Sequence, residues 1–169
     1  DGRMKFLKEP MQPNFHDLGI TPGILDVIDG MQFKIPTPIQ HKAIPLAVEG
    51  KDVLGIAQTG TGKTLAFGIP MIQCLLREPG RALILVPTRE LALQIDATIR
   101  KIGNPFNIRS VIVIGGMDMD TQVTLLRKET IRVIIATPGR LLEHLEQKTL
   151  NADDLKMVVL DEADRMLDM

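Results

Sequence analysis

Five short apolar runs, separated by segments patterned like helices, constrain this chain more than any other feature. The runs are VLGIA at 53–57, ALILV at 82–86, SVIVI at 110–114, RVIIA at 132–136 and MVVL at 157–160. Between them, Thr64–Leu76, Glu90–Ile102, Asp120–Lys128 and Arg140–Gln147 place apolar residues at a period of 3.6. Near-continuous, β-branched runs indicate strands buried on both faces, and such strands belong to a parallel sheet covered by helices. The expected fold is therefore α/β, a doubly wound and mostly parallel sheet flanked by helices. Ahead of the first run, Thr21–Pro22 and Thr37–Pro38 each set a capping residue before a first-turn proline. They predict one helix with Ile24, Leu25 and Ile28 as its buried stripe, and a second reaching about Val48 with a kink at Pro45.

Composition removes several function classes. A length of 169 residues fits one domain, and 44% hydrophobic with 24% charged residues excludes a disordered chain. A net charge of −1 offers no bulk attraction for a polyanion, so any nucleic-acid contact must rest on local geometry. No apolar run approaches the ~18 residues of a membrane span, and DGRMKFLKEP lacks the apolar stretch of a secretory signal. The lone cysteine, Cys74, cannot form an internal disulfide and lies on what reads as the buried side of a helix. The expected location is cytoplasmic, or nuclear in a eukaryote, with no membrane partner. His16, His41 and His144 lack ligand spacing, so a metal site made of side chains alone is not expected. Met71 and Met157 read as gap-fillers of the core.

Chemistry enters with AQTGTGKT at 57–64, which joins a predicted strand to a predicted helix. Gly60 and Gly62 let the backbone curl so that amides of the 59–62 stretch (Thr59, Gly60, Thr61, Gly62) face phosphate oxygens. The helix starting near Gly62 adds its positive end. Lys63 brings a point charge to the β- and γ-phosphates, and the Thr64 hydroxyl is placed to bind Mg2+. Ala57 stands where the strict pattern opens with Gly. The bland alternative is an accidental glycine-rich turn between strand and helix.

A phosphate loop needs an acidic partner to hydrolyse anything. VVLDEAD at 158–164 provides one, with Asp161 and Glu162 emerging at the carboxyl end of a buried run. Asp161 is expected to hold Mg2+ through a coordinated water, and Glu162 to orient and deprotonate the attacking water. Alone, the pair reads equally well as a solvated helix start, because acids favour first turns. In a chain that also carries AQTGTGKT, the catalytic reading prevails.

DEAD at 161–164 together with AQTGTGKT at 57–64 resembles the DEAD-box RNA helicases of superfamily 2. IPTPIQ at 35–40, PTRELA at 87–92, GG at 115–116 and TPGR at 137–140 match in the family's order, and the resemblance runs from about Phe15 to the last residue. It implies that 1–169 is the first RecA-like, ATP-binding domain of an ATP-dependent RNA helicase, with an adenine-recognition segment over 14–50. ATP and Mg2+ are the implied cofactors, and RNA the implied partner. By the same resemblance Gln40 hydrogen-bonds the base edge, Phe33 stacks on the base and Phe15 supports that pocket. Gln32 stands where the family usually has Gly.

The implied RNA surface comprises Pro87, Thr88, Arg89, Gly115, Gly116, Thr137, Pro138, Gly139 and Arg140. All of them follow predicted strands and should cluster on one rim. There, small residues free backbone amides to meet phosphates, and Arg89 and Arg140 either supply charge or brace neighbouring loops. Such contacts grip the backbone without reading sequence. The family further implies a strand after the DEAD motif, lying between the Lys63 and Asp161 strands, and a second RecA-like domain. Arginines from that domain are worth roughly 10³–10⁵ in rate in related systems. With RMLDM as the last residues, the expectation is a domain incomplete at its C-terminus, without its second RecA-like domain and nearly inactive alone. Two other readings remain: a nucleotide-gated RNA clamp or interaction module with little catalysis, and another P-loop NTPase whose RNA motifs are coincidental.

Overall fold

Side chains alternate between the two faces of each strand, and helices pack on both faces of the sheet's centre to bury them. The computed structural model describes residues 14–31, 35–48 and 62–167. In chain order they form α1 (Pro22–Gly30), α2 (Pro38–Val48), α3 (Lys63–Arg77), β1 (Arg81–Leu85), α4 (Arg89–Gly103) and β2 (Arg109–Val113). Then follow α5 (Met119–Leu126), β3 (Ile131–Ala136), α6 (Pro138–Glu146), β4 (Leu155–Leu160) and the short α7 (Ala163–Leu167). The strands pair in the order β2-β3-β1-β4, and every pair is parallel. The predicted elements within the described residues all form, with ends shifted by one or two positions. The run at 53–57 lies outside the described residues.

One core gathers Ala82, Ile84, Val133 and Ile135 from the strands under α1, α3 and α4, and includes the predicted stripe Ile24, Leu25 and Ile28. On the opposite face, Leu83, Val111, Val113 and Ile134 pack with Leu126 of α5 and with Leu141 and Leu145 of α6. Met71 is fully buried in the first core, and Met157 packs against it. A glutamine and an arginine hold two of the connections. Gln73 of α3 accepts from Thr21 N at 2.9 Å and donates to Gly19 O at 3.1 Å, so its amide fixes the start of α1. Arg132 interrupts the apolar run of β3 and donates to Leu75 O at 3.0 Å, Glu78 O at 2.7 Å and Gly80 O. Those carbonyls close the end of α3, where a cation also meets the negative end of the helix dipole.

Two expectations need correction. Burial on both faces holds for the central strands and fails for β4, whose Val158 and Leu160 are 55% and 57% exposed. The reason is coverage: Met157 and Val159 face the first core, and on the second face only Leu155, at the start of β4, packs with the second core, so nothing described covers Val158 and Leu160. Along β4, one edge pairs with β1, and no strand among the described residues pairs with the other. Cys74 is half-buried rather than buried, and its burial pushes the thiol pKa up. No helix of the described residues is long and apolar enough to cross a membrane.

Because three carbonyls depend on one guanidinium, Arg132→Met should cost about 2–3 kcal/mol in urea unfolding, the range for lost charge-assisted hydrogen bonds. Arg127→Met, at an exposed position, should stay within about 0.5 kcal/mol. Equal effects from the two changes would refute the capping role.

Candidate functional site

Backbone hydrogen bonds continue past the strand ends and line up the segments that follow them. Thr137 N donates to Val113 O at 3.2 Å, Val86 N to Ala136 O at 2.9 Å, and Asp161 N to Leu85 O at 3.0 Å. The segments after β2, β3, β1 and β4 therefore share the carboxyl rim of the sheet, where ligands of such folds sit. Asp161, Glu162 and all nine residues of the expected RNA surface lie on this rim.

At its β4 end, Lys63 Nζ stands 2.6 Å from Asp161 Oδ1, with the two side chains 18% and 6% exposed. Lys63 is the first residue of α3, and Asp161 follows the last residue of β4. The solvated-helix-start reading fails for Asp161, which is buried and paired. Glu162 turns the chain from β4 into α7 with φ at +52°, a left-handed conformation rare for a residue with a side chain. Its Oε2 accepts from Arg165 Nη1 at 2.7 Å. Thr64, in the first turn of α3, is half-buried.

Gly62 caps α3 with φ at +78°, and a Cβ there would lie 2.5 Å from Gln40 Nε2. That close approach reflects a contact the sequence did not disclose. Gln40 is 1% exposed, and its Nε2 donates to Gly62 O at 2.9 Å. Its Oε1 accepts from Thr37 N at 2.9 Å, while Thr37 Oγ1 accepts from Gln40 N at 3.3 Å. TPIQ is thus a capping box, the reciprocal Thr–Gln arrangement that closes a helix start. Phe15 is 2% exposed and packed in the first core. Phe33, Thr59, Gly60 and Thr61 lie outside the described residues.

Along the rest of the rim, Thr88 caps α4 by accepting from Leu91 N at 3.2 Å, and Pro87 beside it is buried. Gly116 has φ at +82°, and a Cβ on it would lie 2.6 Å from Arg89 Nη1, so the turn after β2 passes directly beneath that guanidinium. Gly115 and Gly139 have open space where a side chain would be. Thr137 caps α6 without a side-chain bond, ahead of Pro138. Arg140 Nη1 donates to Met117 O at 2.8 Å and Gln122 Oε1 at 3.2 Å.

His144, singled out in the sequence only for its lack of ligand spacing, has a structural role. Its ring is fully buried, with Nε2 2.8 Å from Gln122 Oε1 and Nδ1 2.7 Å from Thr149 Oγ1. A single histidine on a helix gives no sequence signal for this, because its partners lie 22 residues upstream and 5 downstream.

Residues 37–169 match the family model of the DEAD/DEAH box helicase. The ATP-dependent rRNA helicase RRP3 of Pyricularia oryzae is 48% identical over 165 residues, covering 96% of this chain and 30% of that protein. Its counterpart in Candida albicans is 49% identical over 173 residues, covering 100% and 31%. Among solved structures, the RNA helicase Prp28 of Chaetomium thermophilum bound to ADP superposes with a TM-score of 0.84 at 39% identity, over 92% of this chain and 39% of that one. The chain spans about a third of the length of the curated relatives it matches.

Burial, and then the neighbouring Arg140 guanidinium, hold His144 below the ordinary imidazole pKa of 6.5, with Glu143 pulling the other way. The unfolded chain takes up this proton near pH 6.5 and the folded chain resists it, so stability complete above that pH is lost as pH falls below it. Urea midpoints between pH 7.5 and 5 should therefore fall more steeply in the native chain than in His144→Gln. Matching slopes would contradict the burial of a neutral ring.

Proposed function

The chain belongs to the DEAD/DEAH box helicase family, and from that membership we propose that it is the first RecA-like, ATP-binding domain of an ATP-dependent RNA helicase. The observation that carries the reading is the Lys63–Asp161 contact at 2.6 Å, which joins the end of the phosphate-loop motif to the first acid of DEAD.

On nucleotide entry, Lys63 leaves Asp161 for the β- and γ-phosphate oxygens. The Thr64 hydroxyl, and Asp161 through a coordinated water, would hold Mg2+, a small protein share of oxygen donors that suits this ion. Mg2+, when bound, neutralises the charge developing on the phosphates. Glu162 orients the attacking water and accepts its proton as the water oxygen bonds to the γ-phosphorus and the bond to the β-phosphate oxygen breaks. Glu162 takes a left-handed backbone where the chain leaves β4. Holding a non-glycine residue there costs of order 1–3 kcal/mol, a strain often kept at functional sites.

For the base, Gln40 has one amide hydrogen and one lone pair beyond its bonds among the described residues to Gly62 O and Thr37 N, enough to meet one donor and one acceptor of an adenine edge. Phe33 and Phe15 complete that pocket by stacking and by support, and Thr59, Gly60, Thr61 and Gly62 receive the phosphates. On the rim, Thr88, Arg89, Gly115, Gly116, Thr137, Pro138 and Gly139 meet the RNA backbone, with Pro87 shaping the turn beneath. A second RecA-like domain supplies the arginines and the other half of the RNA track.

In the complete protein, Glu162→Gln should lower steady-state ATP hydrolysis by about 10²–10⁴-fold, the usual worth of a general base, while ATP affinity changes less than about threefold. Turnover within tenfold of native, or ATP binding lost in parallel, would remove Glu162 from this role.

A further inference from the structure

We propose that Arg140 is a brace of the RNA-facing rim and not a phosphate contact, and that Gln122 and His144 are the positioning residues that hold it there. The inference rests on the rim binding RNA, as proposed above, and adds a division of labour between its two arginines.

The hydrogen-bond chemistry leaves little freedom. Gln122 is 2% exposed, and its Nε2 donates to Ile114 O at 2.9 Å. Its oxygen must then be the atom that faces both His144 Nε2 at 2.8 Å and Arg140 Nη1 at 3.2 Å. An amide oxygen only accepts, so His144 carries its hydrogen on Nε2. With its hydrogen on Nε2, the neutral ring offers a lone pair at Nδ1 to the Thr149 hydroxyl 2.7 Å away, which also lies 3.1 Å from His144 O and shares its one hydrogen between the two. One amide thus joins the end of β2 to two side chains of α6.

Arg140 then reaches Met117 O at 2.8 Å, and its Nε lies 3.4 Å from Glu143 Oε2. Its side chain is 12% exposed. The carbonyls of Ile114 and Met117 bracket Gly115 and Gly116, and each is held by a buried or largely buried side chain. A turn with two glycines has the most backbone freedom to lose, and holding it before RNA arrives removes that loss from binding. Arg89 stands in a different position: it is exposed and lies over Gly116, with its charge open to the rim.

Salt dependence separates the two roles. A cation on a phosphate releases counterions, and deleting it lowers the slope of log affinity against log salt by about 0.7 on a single strand. A brace changes affinity and leaves that slope alone. We would measure anisotropy of fluorescein-labelled single-stranded RNA with the complete protein and a non-hydrolysable ATP analogue, from low to high KCl. Arg89→Gln should lower the slope by about 0.7, while Arg140→Gln and Gln122→Leu should weaken binding about tenfold at every salt with the native slope. His144→Gln, whose amide can still donate to Gln122, should bind as native, whereas His144→Leu should weaken as Gln122→Leu does. ATP-analogue affinity of Gln122→Leu should stay native, which a general loss of folding would not allow.

A slope lowered by Arg140→Gln as much as by Arg89→Gln overturns the proposal, as does native RNA affinity in both Gln122→Leu and His144→Leu. If Gln122→Leu does not fold, the Arg140→Gln slope and the two His144 variants still decide. Native protein that binds no RNA at all would instead remove the RNA reading of the rim, and this inference with it.

Discussion

A lysine at the start of one helix and an aspartate at the end of one strand form the contact on which the account depends. Lys63 and Asp161 are 98 positions apart in sequence (161 − 63) and 2.6 Å apart in space. Both side chains are largely withdrawn from water, so removing either would leave a charge without compensation, a loss commonly of about 3–5 kcal/mol. The pair forms only if the start of α3 and the end of β4 open on the same rim. Parallel pairing of β4 with β1 and packing of α3 in the first core bring this about. The same parallel order carries the 87–89, 115–117 and 137–140 segments to that rim, so the ATP and RNA readings share one structural cause.

Buried amides do much of the positioning. Gln73 ties α3 to the start of α1, Gln40 ties α2 to the first turn of α3, and Gln122 ties the end of β2 to α6. Each is at most 2% exposed. A carboxamide donates and accepts at once and carries no charge, so it can close a buried loop without the desolvation cost of an ion. These glutamines hold connections at points where the sheet itself cannot reach.

Much of this was legible in the sequence because it follows from periodicity and local order. Apolar runs placed the strands, Thr–Pro pairs placed two helix starts, and Ile24, Leu25 and Ile28 gave a correct buried stripe. The shared rim followed from motifs that each trail a strand. What the sequence did not disclose depends on contacts distant along the chain. Arg132 sits in an apolar run and gives no sign of capping a helix more than fifty residues upstream. His144 gives no sign of its role because its partners, Gln122 on α5 and Thr149 beyond the end of α6, follow no helical spacing. Gln40 drew attention for its motif, while its capping box and its grip on Gly62 O were unread, although Thr-x-x-Gln ahead of a helix is the signature of that box. For β4, a fully apolar run gave no means of knowing that only one face would be covered by described elements.

The most direct test is a structure of the complete protein with Mg2+ and a non-hydrolysable ATP analogue. The account predicts that Lys63 Nζ will have left Asp161 and lie within hydrogen-bond reach of β- or γ-phosphate oxygens, with the Asp161 carboxylate turned to the metal and its waters. A triphosphate bound elsewhere, with the Lys63–Asp161 pair intact, would contradict it.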